Sequence, residues 1–311
     1  MELQLLKQLY KIHSPSGSEK KLRKFIKDWI RRNVADAEME QDAIGNLYVK
    51  KGACETYPCL VAHMDQVQKI HSRDFQAVDT KGAILGFSRG NMQVEGLGAD
   101  DKNGIWIALK CLQKYPVMKC CFFVQEEVGC IGSSKCDMDF FIDCRWVIQC
   151  DRKGGSDLIW NIGGWTELCS EEFLKDIGYE KFGYKKATGM MTDVETLKNR
   201  GLGVSALNLS VGYYRPHTSE EFTIISELLN CLALVENIIT NCTKVYPHED
   251  DYGHYRGFGK LDDPEDEIWD LMADFLFTFP DATLDDAINQ FYGYDQSFVE
   301  MAYEDVKSMY F

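Results

Sequence analysis

Apolar residues recur at helical spacing in two segments near the start of the chain. The first predicted helix covers residues 2–12. The second covers residues 18–32, and it follows a turn-prone stretch at 14–17. Its apolar face is formed by Leu22, Phe25, Ile26 and Trp29. We therefore expect two amphipathic helices, each with one buried side, before the first strand.

Short apolar runs bounded by polar or turn residues follow these helices and predict strands. The runs lie at 47–50, 59–63, 120–125 and 146–150, with predicted helices near 101–115 and 129–137 between some of them. Strands that alternate with helices form βαβ units around a mostly parallel sheet. The expected fold class is therefore α/β, with a mixed, mostly parallel central sheet flanked by helices.

The pattern continues beyond Asp151 with further predicted elements. These are a strand at 158–162, a glycine turn at 163–164, a helix near 192–200, a strand at 205–211 and a long apolar helix over 221–240. Thr192 with Glu195, and Thr218 with Glu221, match the capping-box pattern of a helix start. Helices are therefore expected to begin at these two threonines.

Charge divides the chain of 311 residues into two parts. The formal net charge is −15, and residues 245–311 hold 17 acidic residues against three basic ones, a net of −14, which leaves −1 for residues 1–244. The predicted domains are therefore 1–244, which would carry the activity, and 245–311, an acidic and mostly helical extension. Its helices are predicted around an apolar face formed by Ile268, Leu271, Met272, Phe275 and Leu276, and over 283–292 and 295–310.

Composition also argues against several functional classes. An acidic chain with no evident basic stripe is repelled by phosphate backbones and anionic membranes, so neither nucleic acid nor membrane is expected as a partner. No apolar stretch reaches the length of a membrane span. The twelve cysteines show no C-x-x-C pair, and the start of the chain does not resemble a signal peptide, so we expect buried thiols and a cytoplasmic protein.

Most residues able to bind metal stand where predicted strands run out into loops, the usual position of sites in α/β sheets, and the others lie in turns marked by glycine or proline. They are His63 and Asp65 in Val-Ala-His-Met-Asp, Asp100 and Asp101 in Gly-Leu-Gly-Ala-Asp-Asp-Lys-Asn-Gly, Glu126 and Glu127 after Phe-Phe-Val-Gln, Asp151 after Val-Ile-Gln-Cys, and His217 in Arg-Pro-His-Thr-Ser-Glu-Glu. Taken singly, each has an ordinary explanation as a surface pair, a helix cap or a turn. Together they form an ordered set that points to a metal site.

Two imidazoles and three carboxylates, from His63, Asp100, Glu127, Asp151 and His217, make a ligand set suited to two Zn²⁺ ions, with Co²⁺ or Mn²⁺ also tolerated. If Asp100 bridges the ions, four positive and three negative charges leave room for a bridging hydroxide. A neighbouring carboxylate, Glu126, would then act as general base in amide hydrolysis. Asp65 would orient the imidazole of His63 by a hydrogen bond.

The same ordered motifs resemble the co-catalytic zinc peptidases over residues 14–240. This group includes peptidase T with its aminoacylase and carboxypeptidase relatives, the leucyl-type bacterial zinc aminopeptidases and the glutamyl (deblocking) aminopeptidases. The resemblance implies a three-layer sandwich and assigns Asp100, Glu127 and His217 to one metal, with His63, Asp100 and Asp151 on the other. It also implies a cis peptide between Asp100 and Asp101.

One interval departs from the peptidase T pattern. Only 217 − 151 = 66 residues separate Asp151 from His217, where relatives of peptidase T usually carry an inserted dimerisation domain. Its absence favours an aminopeptidase. The aminopeptidases have a segment like Thr192-Asp193 between the last two ligands, so the resemblance makes Asp193 a candidate for lining the substrate pocket.

Three functions remain open from the sequence. The favoured one is a metal-dependent exopeptidase that removes N-terminal residues from peptides. A deacylase of N-acyl amino acids would use the same metals, and a catalytically silent peptide-binding or scaffold protein would use the acidic extension. That extension is expected to cap the domain, or else to dock a partner or cover the active site, and a homo-oligomer is also left open.

Overall fold

The computed structural model describes residues 3–164, 166–249, 272, 275–276, 282–291 and 296–310. The chain forms two compact units, residues 1–250 and 251–311. The first unit contains every predicted metal ligand. The assignment of separate functions to the two parts of the chain stays a prediction.

Two sheets organise the described part of the first unit. Their strands are β1 (Ala37–Gln41), β2 (Leu47–Lys51), β3 (Tyr57–His63), β4 (Phe75–Asp79), β5 (Ala83–Ser88), β6 (Gln93–Glu95), β7 (Met118–Phe123), β8 (Cys144–Arg152), β9 (Asp157–Ile162), β10 (Thr166–Glu167), β11 (Lys185–Gly189), β12 (Ala206–Ser210), β13 (Tyr213–Tyr214) and β14 (Phe222–Ile224). The large sheet has the order β1-β2-β7-β3-β8-β12-β9-β10, with β11 beside β9.

The centre of the large sheet is parallel, as the sequence predicts. Strands β7, β3, β8 and β12 pair in parallel, whereas β1, β2 and β10 pair antiparallel toward the edges. Every residue of β3 and β7 is buried. Central strands covered on both faces show such continuous apolar runs, which is why the sequence signal was strong there and the α/β prediction is confirmed.

A smaller sheet was not predicted. It has the order β13-β14-β5-β4, with β6 beside β5. Two of its strands, β13 and β14, have two and three residues, too few for a periodic signal. Pairing with β5, distant in sequence, makes β14 a strand. The β13–β14 hairpin of this sheet carries His217, one of the predicted metal ligands.

Helices cover both faces of the large sheet in the first unit. Their bounds are α1 (Gln4–Tyr10), α2 (Lys20–Asn33), α3 (Ala99–Lys114), α4 (Ile131–Ser134), α5 (Glu171–Ile177), α6 (Asp193–Asn199) and α7 (Ile225–Asn241). Leu60 and Ala62 of β3 pack in one apolar cluster, with residues of α1, α2, α3 and α7. Cys59 and Val61 pack in another, with residues of α6. Successive side chains point to opposite faces of a strand, so the domain has three layers.

Both predicted capping boxes are absent. Thr192 does precede α6, but its hydroxyl donates to Gln149 instead of capping the helix. Thr218 begins no helix, because residues 222–224 form β14 and the long helix starts at Ile225. The local pattern matched, but distant segments bind Thr192 and Glu221. The Thr218 hydroxyl donates to the Arg215 carbonyl within its own loop. The predicted helix start at Thr192 is therefore confirmed without its capping box. The predicted helix start at Thr218 was wrong.

The cysteines are free thiols, as expected. All twelve lie among the described residues and none forms a disulfide; eleven are buried and Cys54 is exposed. None of the helices in the described ranges combines the length and apolarity needed to cross a bilayer. Helix α2 does carry a row of lysines and arginines, so the expectation of a chain with no basic stripe was wrong for this helix.

The second unit has a small apolar core of its own. Its described helices are α8 (Leu284–Gln290) and α9 (Gln296–Tyr310), close to the predicted bounds. The core consists of Met272, Leu276, Ala287, Phe291, Val299, Ala302 and Val306, with Phe275, Ala282, Ile288 and Tyr303 against it. Ile268 and Leu271 of the predicted apolar face lie outside the described residues. The role of this acidic extension stays a prediction.

Candidate metal centre

The predicted ligands come together at the carboxyl end of the parallel strands. His63 ends β3, Asp151 is the penultimate residue of β8, and Glu127 follows β7. Asp100 lies at the start of α3, and His217 stands in the hairpin between β13 and β14. Four of the five predicted ligands thus lie on or next to the large sheet and α3. The fifth, His217, comes from the small sheet.

Two groups of ligand atoms share Asp100. In the first group, His63 Nε2 lies 3.0 Å from Asp100 Oδ1 and 3.5 Å from Asp151 Oδ1. In the second, His217 Nε2 lies 3.4 Å from Asp100 Oδ2 and 3.1 Å from Glu127 Oε2. The ligand atoms within each group all lie within 4.8 Å of one another. One carboxylate oxygen of Asp100 therefore faces each group, the arrangement of a bridging ligand.

The spacing of these atoms fits small divalent ions. Nitrogen and oxygen ligands about 2.0–2.1 Å from a tetrahedral Zn²⁺ lie about 3.3 Å from one another, and the separations here are 3.0–3.5 Å. Asp151 Oδ1 and Glu127 Oε1 are buried and lack a hydrogen-bond partner among the described residues. Buried anionic oxygens without a donor require a compensating charge, so the donor set fits two cations.

Electrostatics supports the same interpretation. Burial on its own lowers the pKa of His63, but the carboxylates around it, Asp151 first, hold that pKa well above its usual range. Burial likewise opposes protonation of His217, yet hydrogen bonds with Asp100 and Glu127 raise its pKa to about 11. Both imidazoles thus hold protons because the surrounding field is strongly negative. Metal ions would displace such protons on binding.

Glu126 stands beside the two groups without belonging to either. Its Oε2 atom lies 3.9 Å from His63 Nε2, and its other carboxylate oxygen accepts a weak hydrogen bond from the Cys130 thiol at 3.7 Å. Burial raises the pKa of Glu126 well above its usual range, although the charge of His63 opposes this rise. A carboxylate with a raised pKa next to a metal site is chemically suited to exchange protons.

Asp65 connects the first imidazole to the glutamate pair. Its Oδ1 atom lies 3.4 Å from His63 Nδ1 and accepts the backbone N–H of Glu126 at 2.9 Å. Its Oδ2 atom accepts the Glu127 N–H at 3.2 Å and the Ser16 hydroxyl at 2.7 Å. Asp65 is thus placed to orient His63 and to fix the start of the loop after β7.

Asp193 is buried, with no exposed surface. Its carboxylate accepts hydrogen bonds from the Ser133 hydroxyl at 2.6 Å and from Gln149 Nε2 at 3.2 Å. Gln149 also donates to Asp151 Oδ2 at 3.0 Å. Asp193 thus bonds to Gln149, which also bonds to Asp151. The substrate-lining role of Asp193 stays a prediction.

Sequence reasoning missed Gln149 and Glu221. Gln149 precedes Asp151 by two residues on β8, so the two side chains share a face of the strand. This spacing could have identified Gln149 as a neighbour of Asp151. Glu221 was interpreted as part of a helix cap. It is instead buried, and its carboxylate accepts the backbone N–H groups of Ala99 and Asp100. The expected cis peptide between Asp100 and Asp101 is present.

Known structures share this fold, whereas no protein-family model and no curated protein matches the chain. Aminopeptidase PepT from Bacillus cereus has 15% identity and a TM-score of 0.62, covering 78% of this chain and 98% of its own. A tripeptidase from Staphylococcus aureus has 15% identity and a TM-score of 0.61, covering 76% and 96%. The TET1 peptidase of Pyrococcus horikoshii has 17% identity and a TM-score of 0.54, covering 77% and 99%. Likeness at these identities establishes the mixed α/β fold alone.

Proposed function

We propose that this chain is a metal-dependent exopeptidase, an aminopeptidase that removes N-terminal residues from peptides. The observation that carries the proposal is the pair of ligand groups sharing Asp100, with Glu126 beside them. The names of the structural neighbours, an aminopeptidase, a tripeptidase and a TET peptidase, support the same reaction class.

The ligands divide between two ions. His63, Asp100 and Asp151 would hold one, and Asp100, Glu127 and His217 the other. The mixed nitrogen and oxygen donors suit Zn²⁺, with Co²⁺ or Mn²⁺ as substitutes. When bound, such ions polarise a scissile carbonyl and lower the pKa of water toward about 7.

The protein's own proton transfers depend on Glu126. Its carboxylate would take the proton of the attacking water and deliver it to the leaving amine, because it lies 3.9 Å from His63 of the first group but belongs to neither group. Asp65 keeps this arrangement in place by accepting the Glu126 N–H and lying against His63. The reaction then ends with a free amine and a carboxylate.

The choice of aminopeptidase over carboxypeptidase rests on the interval between Asp151 and His217. Strands β9, β10, β11 and β12 in this interval all belong to the large sheet, which supports the proposal that no inserted dimerisation domain is present. The TET1 peptidase assembles into a tetrahedron or a large octahedral shell. Self-association is therefore part of the proposal, and analytical ultracentrifugation tests it.

Substituting Glu126→Gln tests the proposed base. We expect peptide hydrolysis to fall about 10²–10⁴-fold, the usual contribution of a positioned base, while the purified protein still binds two metals. The control is Glu38→Gln on the exposed side of β1, which should leave both quantities unchanged. Turnover by Glu126→Gln equal to that of the unsubstituted protein would refute the assignment of the base.

Paired substrates separate the aminopeptidase from its rivals. We expect a peptide with a free N-terminal amine to be cleaved and its N-acylated counterpart to be spared. The reverse preference would indicate a deacylase. No bound metal by elemental analysis, and no hydrolysis after Zn²⁺ or Co²⁺ is added, would indicate the catalytically silent binding protein.

A further inference from the structure

Glu221 links the hairpin of the small sheet, which carries His217, to the start of α3, which carries Asp100. It lies four residues after His217, immediately before β14, and is 1% exposed. Its Oε1 atom accepts the Asp100 N–H at 3.3 Å, and its Oε2 atom accepts the Ala99 N–H at 3.1 Å. One carboxylate therefore holds the hairpin that carries His217 against the backbone of the bridging ligand.

Further buried polar groups support Glu221. Gln68 Nε2 donates to its Oε2 atom at 3.1 Å, and Gln66 Nε2 donates to Gln68 Oε1 at 3.1 Å. Lys102 in turn donates to Gln66 Oε1. All four side chains are less than 9% exposed. A buried polar network whose members are paired fixes geometry more firmly than a single contact.

Other bonds hold the two strands of the His217 hairpin: the Tyr213 hydroxyl donates to the Asp151 carbonyl at 3.3 Å, and Asn103 Nδ2 donates to Thr223 Oγ1 at 3.1 Å. Glu221 is the residue of the connecting loop that bonds to the backbone at Asp100. The His217 side chain is 52% exposed and its φ is 65°. Contacts within the loop, such as the Arg215–Glu220 ion pair and the hydrogen bond from the Thr218 hydroxyl to the Arg215 carbonyl, do not reach the large sheet. A Cβ on Gly96 would lie 2.5 Å from the Thr218 carbonyl, so the loop also packs tightly against residue 96.

We propose that Glu221 is a positioning residue that sets the approach of His217 to Asp100 and so completes the Asp100–Glu127–His217 group. This inference rests on the proposed function, since it assumes that the group binds a metal. Glu221 contacts neither the ion nor the substrate in this scheme. Its loss would weaken one metal site more than the other, because His217 is carried by the hairpin that Glu221 holds, whereas His63 and Asp151 lie on β3 and β8.

Metal binding by the full-length protein tests this role directly. Glu221→Ala and Glu221→Gln are compared with Glu220→Gln, a neighbour whose side chain is 56% exposed. The measurements are Zn²⁺ titration calorimetry and competition with a chelator. We expect Glu221→Ala to weaken one of two sites about 10–100-fold, the usual effect of removing a partner behind a ligand, and to leave the other within about threefold. Glu221→Gln should have an affinity between those of Glu221→Ala and the unsubstituted protein. Its side chain has one acceptor oxygen for the three donors that now bind Glu221.

Two further measurements separate positioning from general stability. The substitution should lower the Tm of the metal-free protein less than it lowers the Tm of the Zn²⁺-bound protein. In peptide hydrolysis, kcat should fall by a larger factor than KM rises. If Glu221→Ala does not fold, Gly96→Ala tests the same contact, because its Cβ would lie 2.5 Å from the Thr218 carbonyl and 2.6 Å from Cγ of Gln68, the partner of Glu221. It should show the same selective loss of metal affinity. Equal affinities at both sites in the variants and the unsubstituted protein, or equal losses at both, would overturn the inference. Absence of metal binding by the unsubstituted protein would instead refute the proposed function, and this inference with it.

Discussion

Burial raises the pKa of Asp193, a carboxylate beside the candidate metal centre. Its pKa is raised to about 6, first by burial, and the charge of His63 and the hydrogen bond from Ser133 only partly oppose this rise. The carboxylate lies outside both ligand groups, so its ionisation is expected to act on stability. At neutral pH this buried group is charged in the folded protein at a cost in free energy.

We predict that Asp193→Asn flattens the pH dependence of stability in the metal-free protein. A folded-state pKa of about 6, above the ordinary value of 3.8, favours folding below about pH 4, and this contribution is lost as the pH rises through 6. A shift of 6 − 3.8 = 2.2 pKa units corresponds to about 3 kcal/mol. Urea unfolding of the chelator-treated protein between pH 4 and 7 measures the slope.

The exposed residue Asp139 supplies the control for this experiment. Asp139→Asn should keep the slope of the unsubstituted protein. An unchanged slope in Asp193→Asn would mean that the carboxylate is not protonated on folding in this pH range. Glu126 and Asp151, whose pKa values burial also raises, would then account for any remaining dependence.

At the scale of elements, a buried polar cluster joins α1, α3 and the small sheet. The Tyr10 hydroxyl of α1 donates to Asn103 Oδ1 of α3 at 2.5 Å and lies 2.9 Å from Thr223 Oγ1 of β14. Asn103 Nδ2 donates to the Val211 carbonyl at 3.2 Å. The first helix, which starts far from the small sheet in sequence, is thereby connected to it next to the His217 hairpin.

We predict that Tyr10→Phe lowers the free energy of unfolding by about 1–3 kcal/mol. The ring still fits, but the Asn103 side chain loses its main donor in a buried position, and an unpaired buried polar group costs about this much. Tyr214→Phe is a suitable control, because the Tyr214 hydroxyl donates to Glu227 in a partly exposed position. Urea denaturation with both variants compares the two costs. A loss in Tyr10→Phe no larger than in Tyr214→Phe would contradict the structural importance of the cluster.

At the scale of the whole molecule, each unit has its own apolar core. The two clusters of the first unit draw their described residues from Leu5 to Tyr246. The cluster of the second unit draws on residues 272–306. Residues 251–311 contain 15 acidic and three basic residues, a net of −12, which leaves −3 for residues 1–250. Most of the negative charge thus belongs to a unit with a core of its own.

We predict that a chain ending at residue 250 folds and binds metal. Its Tm should lie within about 5 °C of the full-length value, a change that corresponds to about 1–2 kcal/mol for a unit of this size. Circular dichroism and Zn²⁺ titration of the shortened and full-length chains measure this. Aggregation of the shortened chain, or loss of both metal sites, would show that the first unit depends on the extension.

The sequence by itself determined the central strands, most helices of the first unit and the candidate ligands. Strands β3 and β7 are buried along their whole length, so their apolar runs identify them without knowledge of their partners. His63, Glu127 and Asp151 were predictable as candidate ligands because they stand at the ends of such runs, where parallel strands of a sheet end together. These are local signals, carried by neighbours in the chain.

Tertiary structure alone decided the small sheet and the supports of the metal centre. β14 has three residues and becomes a strand by pairing with β5, more than a hundred residues earlier. Glu221 matches a helix cap in sequence but binds the backbone at Asp100, and the buried Asp193 binds Ser133 and Gln149. Hydrogen bonds between segments distant in sequence leave no periodic trace in the chain, so their partners emerge only once the chain has folded.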